Sequence, residues 1–344
     1  VVYCNNPTVG LQAIVALHDT TLGPALGGVR MWPYDDEGAA LDDVLRLSRG
    51  MTYKNALAGL DHGGGKAVIV GDPAHDRTEM RMRCFGRFLD SLGGRYITAE
   101  DVGMTAADME CILQETPWVT GTHEYRGGSG DPSPFTAQGT LAGIRACLRE
   151  RFGHTGIGEV AYAVQGAGHV GLELIRRLRD HDATVYVSDV DPACVQRAVD
   201  EFGCHAVEGG AILDTDAEVF APCALGGVIN ADTLPRLRCE IVAGAANNQL
   251  ADTAAGDELH RRGIVYAPDY AINAGGVMNV SLELSGYNAE RAHAMTERIE
   301  GTVSAILERA RREGIPTWLA ADRLAEARIA ERAALRASAP GTSA

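Results

Sequence analysis

The sequence predicts an α/β protein with two domains, and three observations lead to this prediction. The chain has 344 residues, and a domain commonly contains about 150 residues. Short apolar runs typical of strands alternate with longer runs that carry apolar residues at helical spacing. This alternation starts afresh near Thr136. We therefore expect a first domain of residues 1–121, joined again by residues 317–344, and a second domain of residues 122–316.

The first domain is predicted to mix strands and helices. Two apolar runs, residues 2–3 and 11–17, flank an Asn-Pro turn and predict a pair of neighbouring strands. Apolar residues at helical spacing predict a helix over residues 38–50. The elements predicted after it are a strand over 66–70, a helix over 81–92 and a strand over 95–99. This order predicts one α/β unit.

The second domain is predicted to contain a parallel, doubly wound sheet. It opens with a helix from Thr136 that ends at Gly153, a residue suited to a helix C-cap. Five strand-like runs follow, and the stretches between them are long enough for crossover connections. These runs cover residues 160–165, 183–189, 219–222, 241–243 and 264–267.

The C-terminal region is predicted to be helical. The spacing of its apolar residues predicts helices over residues 289–313 and 317–337. We expect these two helices to pack back across the cleft between the domains. The end of the chain, residues 338–344, has the sequence SAPGTSA and is expected to be disordered.

Composition and charge exclude several classes of protein. Hydrophobic residues make up 46% and charged residues 22% of the chain, which is typical of a folded globular protein. The net charge of −15 repels phosphate backbones and anionic lipids, so neither nucleic acid nor a membrane is an expected partner. The eight cysteines lack a spacing suited to zinc, so we expect free thiols in the cytoplasm and no bound metal. The opening residues, VVYCNNPTVG, lack the pattern of a signal peptide.

The strongest motif in the second half is Gly-Ala-Gly-His-Val-Gly, which follows an apolar strand and opens a predicted helix. Asp189 ends the next strand, 23 residues after Gly166. In a Rossmann-type domain such glycines let a pyrophosphate approach the helix N-terminus, and the acid binds the adenosine ribose hydroxyls but repels the 2′-phosphate of NADP. The motif predicts an NAD site; a ligand-free turn and a methyltransferase-type fold are the alternatives. The expected cofactor-binding residues are Gly166, Gly168, His169, Val170, Gly171 and Asp189.

The first half contains a second glycine-rich segment, residues 63–65, directly before Lys66. Ala67 stands where a phosphate-binding loop needs Ser or Thr, so this segment is not such a loop. The glycines indicate that something approaches the backbone closely, and a partly desolvated lysine is able to act as a base. Lys54 is a candidate for binding a substrate carboxylate, and Asp101 is a candidate partner for a lysine. The alternatives are a solvated surface lysine and an ordinary Lys–Asp surface pair.

Six blocks of sequence span nearly the whole chain. They are LGPALGGVRMW (22–32), RGMTYKNALAGLDHGGGKAVI (49–69), RYITAEDVG (95–103), FAPCALGG (220–227), AGAANNQL (243–250) and YAPDYAINAGGV (266–277). Together they resemble the glutamate, leucine, phenylalanine and valine dehydrogenase family. The resemblance implies a substrate-binding and oligomerisation domain followed by an NAD-binding domain. It also implies the reversible oxidative deamination of an L-amino acid to a 2-oxo acid, ammonia and NADH.

The resemblance also implies a role for each candidate residue. Lys54 is similar to the lysine that binds the substrate carboxylate, Lys66 to the catalytic lysine and Asp101 to its partner acid. The further residues that it implies are Gly27, Gly28 and Met51 along the substrate backbone, and Asn248 and Asn273 near the nicotinamide and the substrate amino group.

The same resemblance narrows the substrate. In the glutamate dehydrogenases of the family, a lysine and a serine stand at the positions of Leu26 and Val280 and bind the side-chain carboxylate. Here both residues are apolar, so a glutamate side chain loses its hydration without gaining a partner. Together with Ala99 and Val277, these residues predict a pocket for valine, leucine and isoleucine. An aromatic L-amino acid, phenylalanine or tryptophan, is one alternative, and a catalytically inactive sensor with the same fold is another.

The sequence departs from the family pattern at Met104. Met104 follows the block RYITAEDVG, where relatives often carry threonine, and this change is expected to reshape the wall beyond Asp101. The family also leads us to expect an N-terminal helical segment before Val1. Since relatives assemble as dimers to octamers, largely through the first domain, we expect a homo-oligomer whose size depends on that segment.

Overall fold

A computed structural model describes residues Val1–Ser338, so residues 339–344 of the expected disordered end lie outside the described part of the chain. The chain forms two compact units. The first comprises Val1–Gly130, Asn279–Ala289 and the described residues from Ala325 onward, and the second comprises Asp131–Met278 and Glu290–Leu324. Each unit combines helices with a six-stranded sheet, which confirms the predicted two-domain α/β fold.

The first unit is built on a mixed sheet. Its strands are β1 (Val2–Asn6), β2 (Leu11–Asp19), β3 (Ala25–Leu26), β4 (Val29–Trp32), β5 (Gly63–Val70) and β6 (Tyr96–Ile97). Its helices include α1 (Glu37–Leu57), α2 (Glu79–Asp90) and α3 (Ala106–Leu113). The strand order is β1-β2-β5-β3-β6, with β4 also on β5; the pairs β1/β2 and β2/β5 are antiparallel, and the others are parallel.

Strands β3 and β4 behave as one strand with a two-residue interruption. Leu26 pairs with Gly64, and Val29 pairs with Ala67, so both strands keep the same register on β5. The two glycines between β3 and β4 therefore lie beside Lys66 and the residue before it. This interruption brings flexible, side-chain-free backbone next to a lysine at the centre of the sheet.

Helix α1 is longer than the sequence predicts, because it continues past Gly50 and ends at Leu57. A glycine inside a helix costs roughly 1 kcal/mol. Packing of α1 on β5 outweighs this cost, since residues such as Thr52 become buried there. As a result, Met51 and Lys54 belong to a rigid helix that is continuous with residues 38–50.

The two faces of this sheet carry separate cores, because alternate residues of a strand point to opposite sides. Val15 and Ile69 belong to the core shared with α2 and α3. Ile14 and Val68 belong to the core shared with α1. Lys66 lies two residues before Val68, so it points to the α1 face of the sheet.

The second unit contains a wholly parallel sheet. Its strands are β7 (Ala161–Gln165), β8 (Thr184–Ser188), β9 (His205–Ala206), β10 (Val219–Pro222), β11 (Ile241–Val242) and β12 (Val265–Tyr266), and its helices include α4 (Ser133–Phe152), α5 (His169–Arg179), α6 (Pro192–Phe202), α7 (Thr253–Arg261), α8 (Asp269–Ile272) and α10 (Ala289–Glu313). Helices α9 (Gly275–Ser281) and α11 (Thr317–Ser338) have residues in both units.

The strand order β12-β11-β10-β7-β8-β9 confirms the predicted doubly wound sheet. The chain moves outward from β7 in one direction and from β10 in the other, so the winding reverses between these two strands. Sheets of this kind bind ligands at that point, beyond the carboxyl ends of the strands. Among residues 1–338, none of the helices combines the length and apolar character needed to cross a membrane.

Candidate active site

Lys66 and Asp101 form a buried ion pair in the first unit. Lys66 Nζ lies 2.9 Å from Asp101 Oδ2. Lys66 on β5 is only 5% exposed, and the side chain of Asp101, which follows β6, is 20% exposed. This burial does not fit a solvated surface lysine or an ordinary surface pair. An amine and a carboxylate thus lie in direct contact, in an arrangement suited to proton transfer.

Arg30 is a third member of this cluster, and it is not among the residues predicted from the sequence. Its Nε donates a hydrogen bond to Asp101 Oδ2 at 3.0 Å. Burial opposes ionisation of Asp101, but the Lys66 ammonium and the Arg30 guanidinium outweigh burial and hold the pKa of Asp101 below its usual range. The sequence signal for Arg30 is a single charge inside the apolar strand VRMW.

The glycines before Lys66 make room for the backbone of the protein itself. A Cβ at Gly63 would lie 2.0 Å from Asp19 O, and a Cβ at Gly64 would lie 2.1 Å from the backbone nitrogen of Thr52. The close approach predicted from these glycines is therefore made by β2 and α1. It fixes the position of β5, and hence of Lys66, under α1.

Gly27 and Gly28 are buried close to Asp101 and Met51. A Cβ at Gly28 would lie 2.8 Å from Asp101 Cβ, and a Cβ at Gly27 would lie 3.0 Å from Met51 Cγ. Tyr96 donates a hydrogen bond from its hydroxyl to Gly27 O at 2.6 Å, which holds the interruption between β3 and β4 in place. The structure thus brings Gly27, Gly28 and Met51 together with Asp101.

Lys54 and Asn55 are adjacent residues of α1, and Asn55 links that helix to strands β3 and β5. Lys54 lies three residues after Met51 and is half-buried. Asn55 is fully buried, and its amide donates hydrogen bonds to Leu26 O at 3.0 Å and to Gly63 O at 2.6 Å. Asn55 is a second residue that was not predicted, and it ties the helix that carries Lys54 to β3 and β5.

The four residues predicted to form the side-chain pocket lie on three parts of the chain. Leu26 on β3 and Ala99 after β6 are both buried in the first unit. Val277 and Val280 are half-buried on α9, and their spacing of three residues puts them on one face of that helix. All four side chains are apolar, so they offer neither a charge nor a hydrogen bond to a ligand.

Each glycine of the second-unit motif has a distinct geometry. Gly166 has φ +101°, a value that L side chains rarely adopt. A Cβ at Gly171 would lie 2.0 Å from Gly166 O, so only glycine allows α5 to pack this close to β7. A Cβ at Gly168 would have no atom of the described residues within 4 Å, so the missing side chain leaves open space there. Gly168 is also the N-cap of α5 and has no side chain to cap it, which leaves the first N–H groups available to a phosphate.

Asp189 lies directly after β8 and holds the same turn. Its Oδ2 accepts a hydrogen bond from the backbone N–H of Ala167 at 2.6 Å, and its Oδ1 accepts one from Asp191 N–H at 2.9 Å. His169 is exposed and Val170 is half-buried where α5 begins. These residues fit a dinucleotide whose pyrophosphate lies on the helix N-terminus and whose ribose faces the acid.

Asn248 and Asn273 lie on loops that a buried acid holds. Asn248 has φ +52°, and its backbone N–H donates to Asp269 Oδ2 at 2.8 Å. The amide of Asn273 donates to Asn247 Oδ1 at 2.7 Å. Asn273 Oδ1 is buried and accepts no hydrogen bond within the described residues, so it offers an acceptor to a ligand N–H. Asp269 is a third residue that was not predicted.

A doubly wound sheet with this glycine turn, and a buried lysine paired with an aspartate, are typical of a nicotinamide-dependent dehydrogenase. Two family models match the chain: the Glu/Leu/Phe/Val dehydrogenase dimerisation domain over residues 2–118, and Glutamate/Leucine/Phenylalanine/Valine dehydrogenase over residues 193–336. The chain therefore belongs to the Glu/Leu/Phe/Val dehydrogenase family, as the six sequence blocks predict. It is an oxidoreductase that acts on the CH–NH2 group of amino acids. Within residues 1–338, no group of three His, Cys, Asp or Glu side chains is placed to hold a metal ion.

Individual relatives agree with this assignment. The chain is 54% identical over 328 residues to a leucine dehydrogenase of Bacillus subtilis (strain 168), covering 95% of this chain and 90% of that protein. It is 47% identical to a valine dehydrogenase of Streptomyces coelicolor, covering 96% and 92%. The crystal structure of L-tryptophan dehydrogenase from Nostoc punctiforme matches with a TM-score of 0.85 at 46% identity, covering 96% and 95%.

Proposed function

We propose that this protein catalyses the reversible, NAD-dependent oxidative deamination of a branched-chain aliphatic L-amino acid to the 2-oxo acid, ammonia and NADH. The observation that carries the proposal is the buried Lys66–Asp101 pair, packed against the glycine backbone of residues 27–28. A sensor needs an anchor for the substrate carboxylate, but it has no use for a buried amine in contact with a carboxylate. The pair therefore favours an enzyme over a sensor.

Each residue of the first unit has a role in this proposal. Lys54 binds the substrate carboxylate, and the backbone at residues 27–28 lines the substrate main chain. NAD, when bound, supplies the hydride acceptor for the substrate Cα. Lys66 takes a proton from the water that attacks the resulting imine carbon, and Asp101 relays protons to the departing ammonia. The Arg30 guanidinium helps to keep Asp101 ionised, so Asp101 is able to accept the proton that Lys66 releases before it acts as the base.

The apolar pocket residues support an aliphatic substrate. Leu26, Ala99, Val277 and Val280 offer no partner to a charged side chain, so burying a glutamate carboxylate there costs several kcal/mol. The relatives named above act on leucine, valine and tryptophan according to their names. An aromatic substrate is the second candidate, because one relative is an L-tryptophan dehydrogenase. One methyl group in a pocket changes the discrimination between two substrates by only about 1–3 kcal/mol.

The test is a panel of substrates in which the formation of NADH is measured by its absorbance. We would compare kcat/KM for L-valine, L-leucine, L-isoleucine, L-phenylalanine, L-tryptophan and L-glutamate with NAD at alkaline pH. The expected result is strong aliphatic turnover and none with glutamate. A preference for the aromatic substrates would contradict the proposed aliphatic preference of the pocket but would support the proposed oxidative deamination. If no amino acid is turned over while NADH still binds, the result would favour a catalytically inactive sensor over an enzyme.

The preference for NAD over NADP is part of the proposal and rests on Asp189. Its carboxylate lies at the end of β8, where the adenosine ribose binds in this fold, and a 2′-phosphate there meets a like charge. Repeating the panel with NADP is expected to give far lower kcat/KM. Equal rates with both cofactors would contradict the role of Asp189.

We also propose a cytoplasmic homo-oligomer, between a dimer and an octamer. The family model that matches residues 2–118 is described as a dimerisation domain, which supports self-association. All eight cysteines are free thiols, as expected in a reducing compartment. Light scattering of the purified protein is expected to give a multiple of the 36.4 kDa chain mass. A monomeric mass would contradict this part of the proposal.

A further inference from the structure

Two cations from neighbouring strands meet at one oxygen of Asp101. Arg30, on β4, donates from Nε to Asp101 Oδ2 at 3.0 Å. Lys66, on β5, places Nζ 2.9 Å from the same Oδ2. Both strands are parallel and adjacent, so the sheet itself brings the two cations side by side next to Asp101.

Arg30 is itself held in place from its other side. Its Nη1 donates to Asp43 Oδ2 on α1 at 3.0 Å. Tyr34 donates its hydroxyl to the same oxygen of Asp43 at 2.7 Å. The side chains of Arg30 and Asp43 are 21% and 13% exposed, so these contacts lie largely out of water. The planar guanidinium thus spans two carboxylates in a fixed geometry, which a flexible ammonium does not provide.

We propose that Arg30 is a positioning residue for the reaction: it fixes the Asp101 carboxylate against Lys66 and keeps that carboxylate anionic while substrate turns over. This inference rests on the proposed function, which makes Asp101 part of the reacting site. Burial disfavours the ionised form of Asp101. Without Arg30, the charge of Lys66 alone favours that form, and the Asp101 carboxylate is free to rotate about its Cα–Cβ bond.

The charged and titratable groups around Asp101 come from four elements. Lys66 on β5 and Arg30 on β4 contact it directly, and Asp43 on α1 lies behind Arg30. Tyr96 on β6 lies near Asp101. Burial raises the pKa of the Tyr96 phenol above its usual value, and the negative charge of Asp101 raises it further. Lys66 and Arg30 together lower the pKa of Asp101 against the opposing effect of burial, so removing Arg30 raises that pKa.

The experiment compares Arg30→Gln and Arg30→Lys with the wild type in the oxidative direction. In Arg30→Gln, kcat is expected to fall by roughly tenfold to a hundredfold, at or below the lower end of the 10²–10⁴-fold that an acid–base group contributes, because Arg30 acts through Asp101 and transfers no proton itself. KM for the amino acid changes less than kcat, since Lys54 still binds the substrate. As the pH is lowered, kcat/KM of Arg30→Gln is expected to fall at a higher pH than that of the wild type, because loss of the Arg30 charge raises the pKa of Asp101. Arg30→Lys keeps the positive charge but lacks the planar guanidinium that contacts both carboxylates, so it is expected to recover part of the kcat lost in Arg30→Gln.

Arg46→Gln is the matched control. Arg46 also contacts Asp43, with Nη2 3.3 Å from Oδ1, but its side chain is 68% exposed. The variant removes the same charge and one contact to Asp43 without touching Asp101. Its kcat and its pH profile are expected to match those of the wild type.

A double-mutant cycle with Asp101→Asn separates positioning from general structural support. If Arg30 acts through Asp101, the double variant is no slower than Asp101→Asn alone. Additive losses, or an unchanged pH profile with Arg30→Lys no better than Arg30→Gln, would overturn the inference. Circular dichroism and NADH binding report whether Arg30→Gln is folded, and if it is not, Arg30→Lys carries the test. An inactive wild type would refute the proposed function and the role of Arg30 with it, whereas an active wild type with additive losses would overturn the role of Arg30 alone.

Discussion

The Asp189 carboxylate accepts a hydrogen bond from the Ala167 backbone N–H at 2.6 Å, so the acid after β8 directly holds the glycine turn after β7. Its second oxygen accepts the Asp191 N–H at 2.9 Å, which fixes the orientation of the carboxylate. The acid therefore has two functions in the proposed cofactor site: it shapes the turn that receives the pyrophosphate, and it faces the ribose.

Replacing Asp189 by alanine is expected to weaken NADH binding by about tenfold or more, because a hydrogen bond to a charged group contributes roughly 1.5–3 kcal/mol. A fluorescence titration with NADH measures this directly. Asp191→Ala is the control, since Asp191 caps α6 through the Ala193 N–H but does not contact the turn. It is expected to lower stability by about 1 kcal/mol and to leave NADH affinity nearly unchanged. Equal losses in both variants would contradict a specific role for Asp189.

Lys66→Arg is expected to abolish turnover while the ion pair with Asp101 persists. Arginine keeps the positive charge but does not release a proton at working pH, so it supports the pair and not the base. Loss of an acid–base group lowers kcat by about 10²–10⁴-fold. Steady-state kinetics measure the loss, and NADH binding is expected to remain.

Lys66→Ala tests the same role from the other side. It removes both the charge and the base, and small primary amines added to the assay are expected to restore part of its activity. Activity near the wild-type level in either variant would show that Lys66 is not the base.

How much of the site could be predicted depends on where the partners of each residue lie in the chain. The glycine turn and Asp189 belong to one strand–turn–helix–strand unit, so their spacing is visible in the sequence. The groups that Arg30 and Asn55 contact come close to these residues only when β3, β4 and β5 pair. Asp101, the partner of Arg30, is 71 residues away. Such long-range contacts leave no local pattern, which is why both residues were missed.

Lysine shows that composition also carries a signal for the site. Lysine occurs only at positions 54 and 66, although Lys and Arg together number 31. Every other basic position is an arginine, whose side chain does not release its proton at working pH. Lys66, the position where the proposed reaction needs an amine that releases its proton, is therefore one of the two lysines in the chain.

Helix α1 and the glycines of β5 show why local rules misplace boundaries. Gly50 suggests a helix end, yet α1 runs to Leu57 because tertiary packing outweighs the weak helix propensity of one glycine. The glycines at 63–65 suggest a nearby ligand, yet the atoms that come close belong to β2, to α1 and to Tyr96. In both cases the deciding contact is made by residues distant in the chain.

These two kinds of glycine predict opposite effects of the same substitution. Gly64→Ala is expected to lower the free energy of unfolding by about 3 kcal/mol or more, because its Cβ would lie 2.1 Å from the backbone of Thr52. Gly50→Ala is expected to raise it by about 0.5–1 kcal/mol, since no atom of the described residues lies within 4 Å of that Cβ and alanine favours the helix. Urea unfolding of both variants measures the difference. A tolerated Gly64→Ala would mean that β5 and α1 separate easily.

Arg328, in the part of α11 that belongs to the first unit, caps the C-terminus of α1. Its Nη1 donates to Ala56 O at 2.7 Å and to Asn55 O at 3.3 Å, two carbonyls of the last turn of α1 that also accept the backbone N–H groups of Gly59 and Leu60. Its Nη2 lies 3.2 Å from Asp61 Oδ1. The end of α1 that follows Lys54 is thus held by a residue more than 270 positions later in the chain.

Arg328→Ala is expected to lower the free energy of unfolding by about 1–2 kcal/mol through the lost cap. Because α1 also positions Lys54, fraying of its last turn is expected to raise KM for the amino acid more than it lowers kcat. Urea unfolding and steady-state kinetics measure the two effects. Arg332→Ala is the control, since Arg332 is one turn further along α11 with an exposed side chain. A destabilised Arg328→Ala enzyme with an unchanged KM would separate the cap from the substrate anchor, and would leave Lys54 positioned by Asn55 and its bonds to β3 and β5.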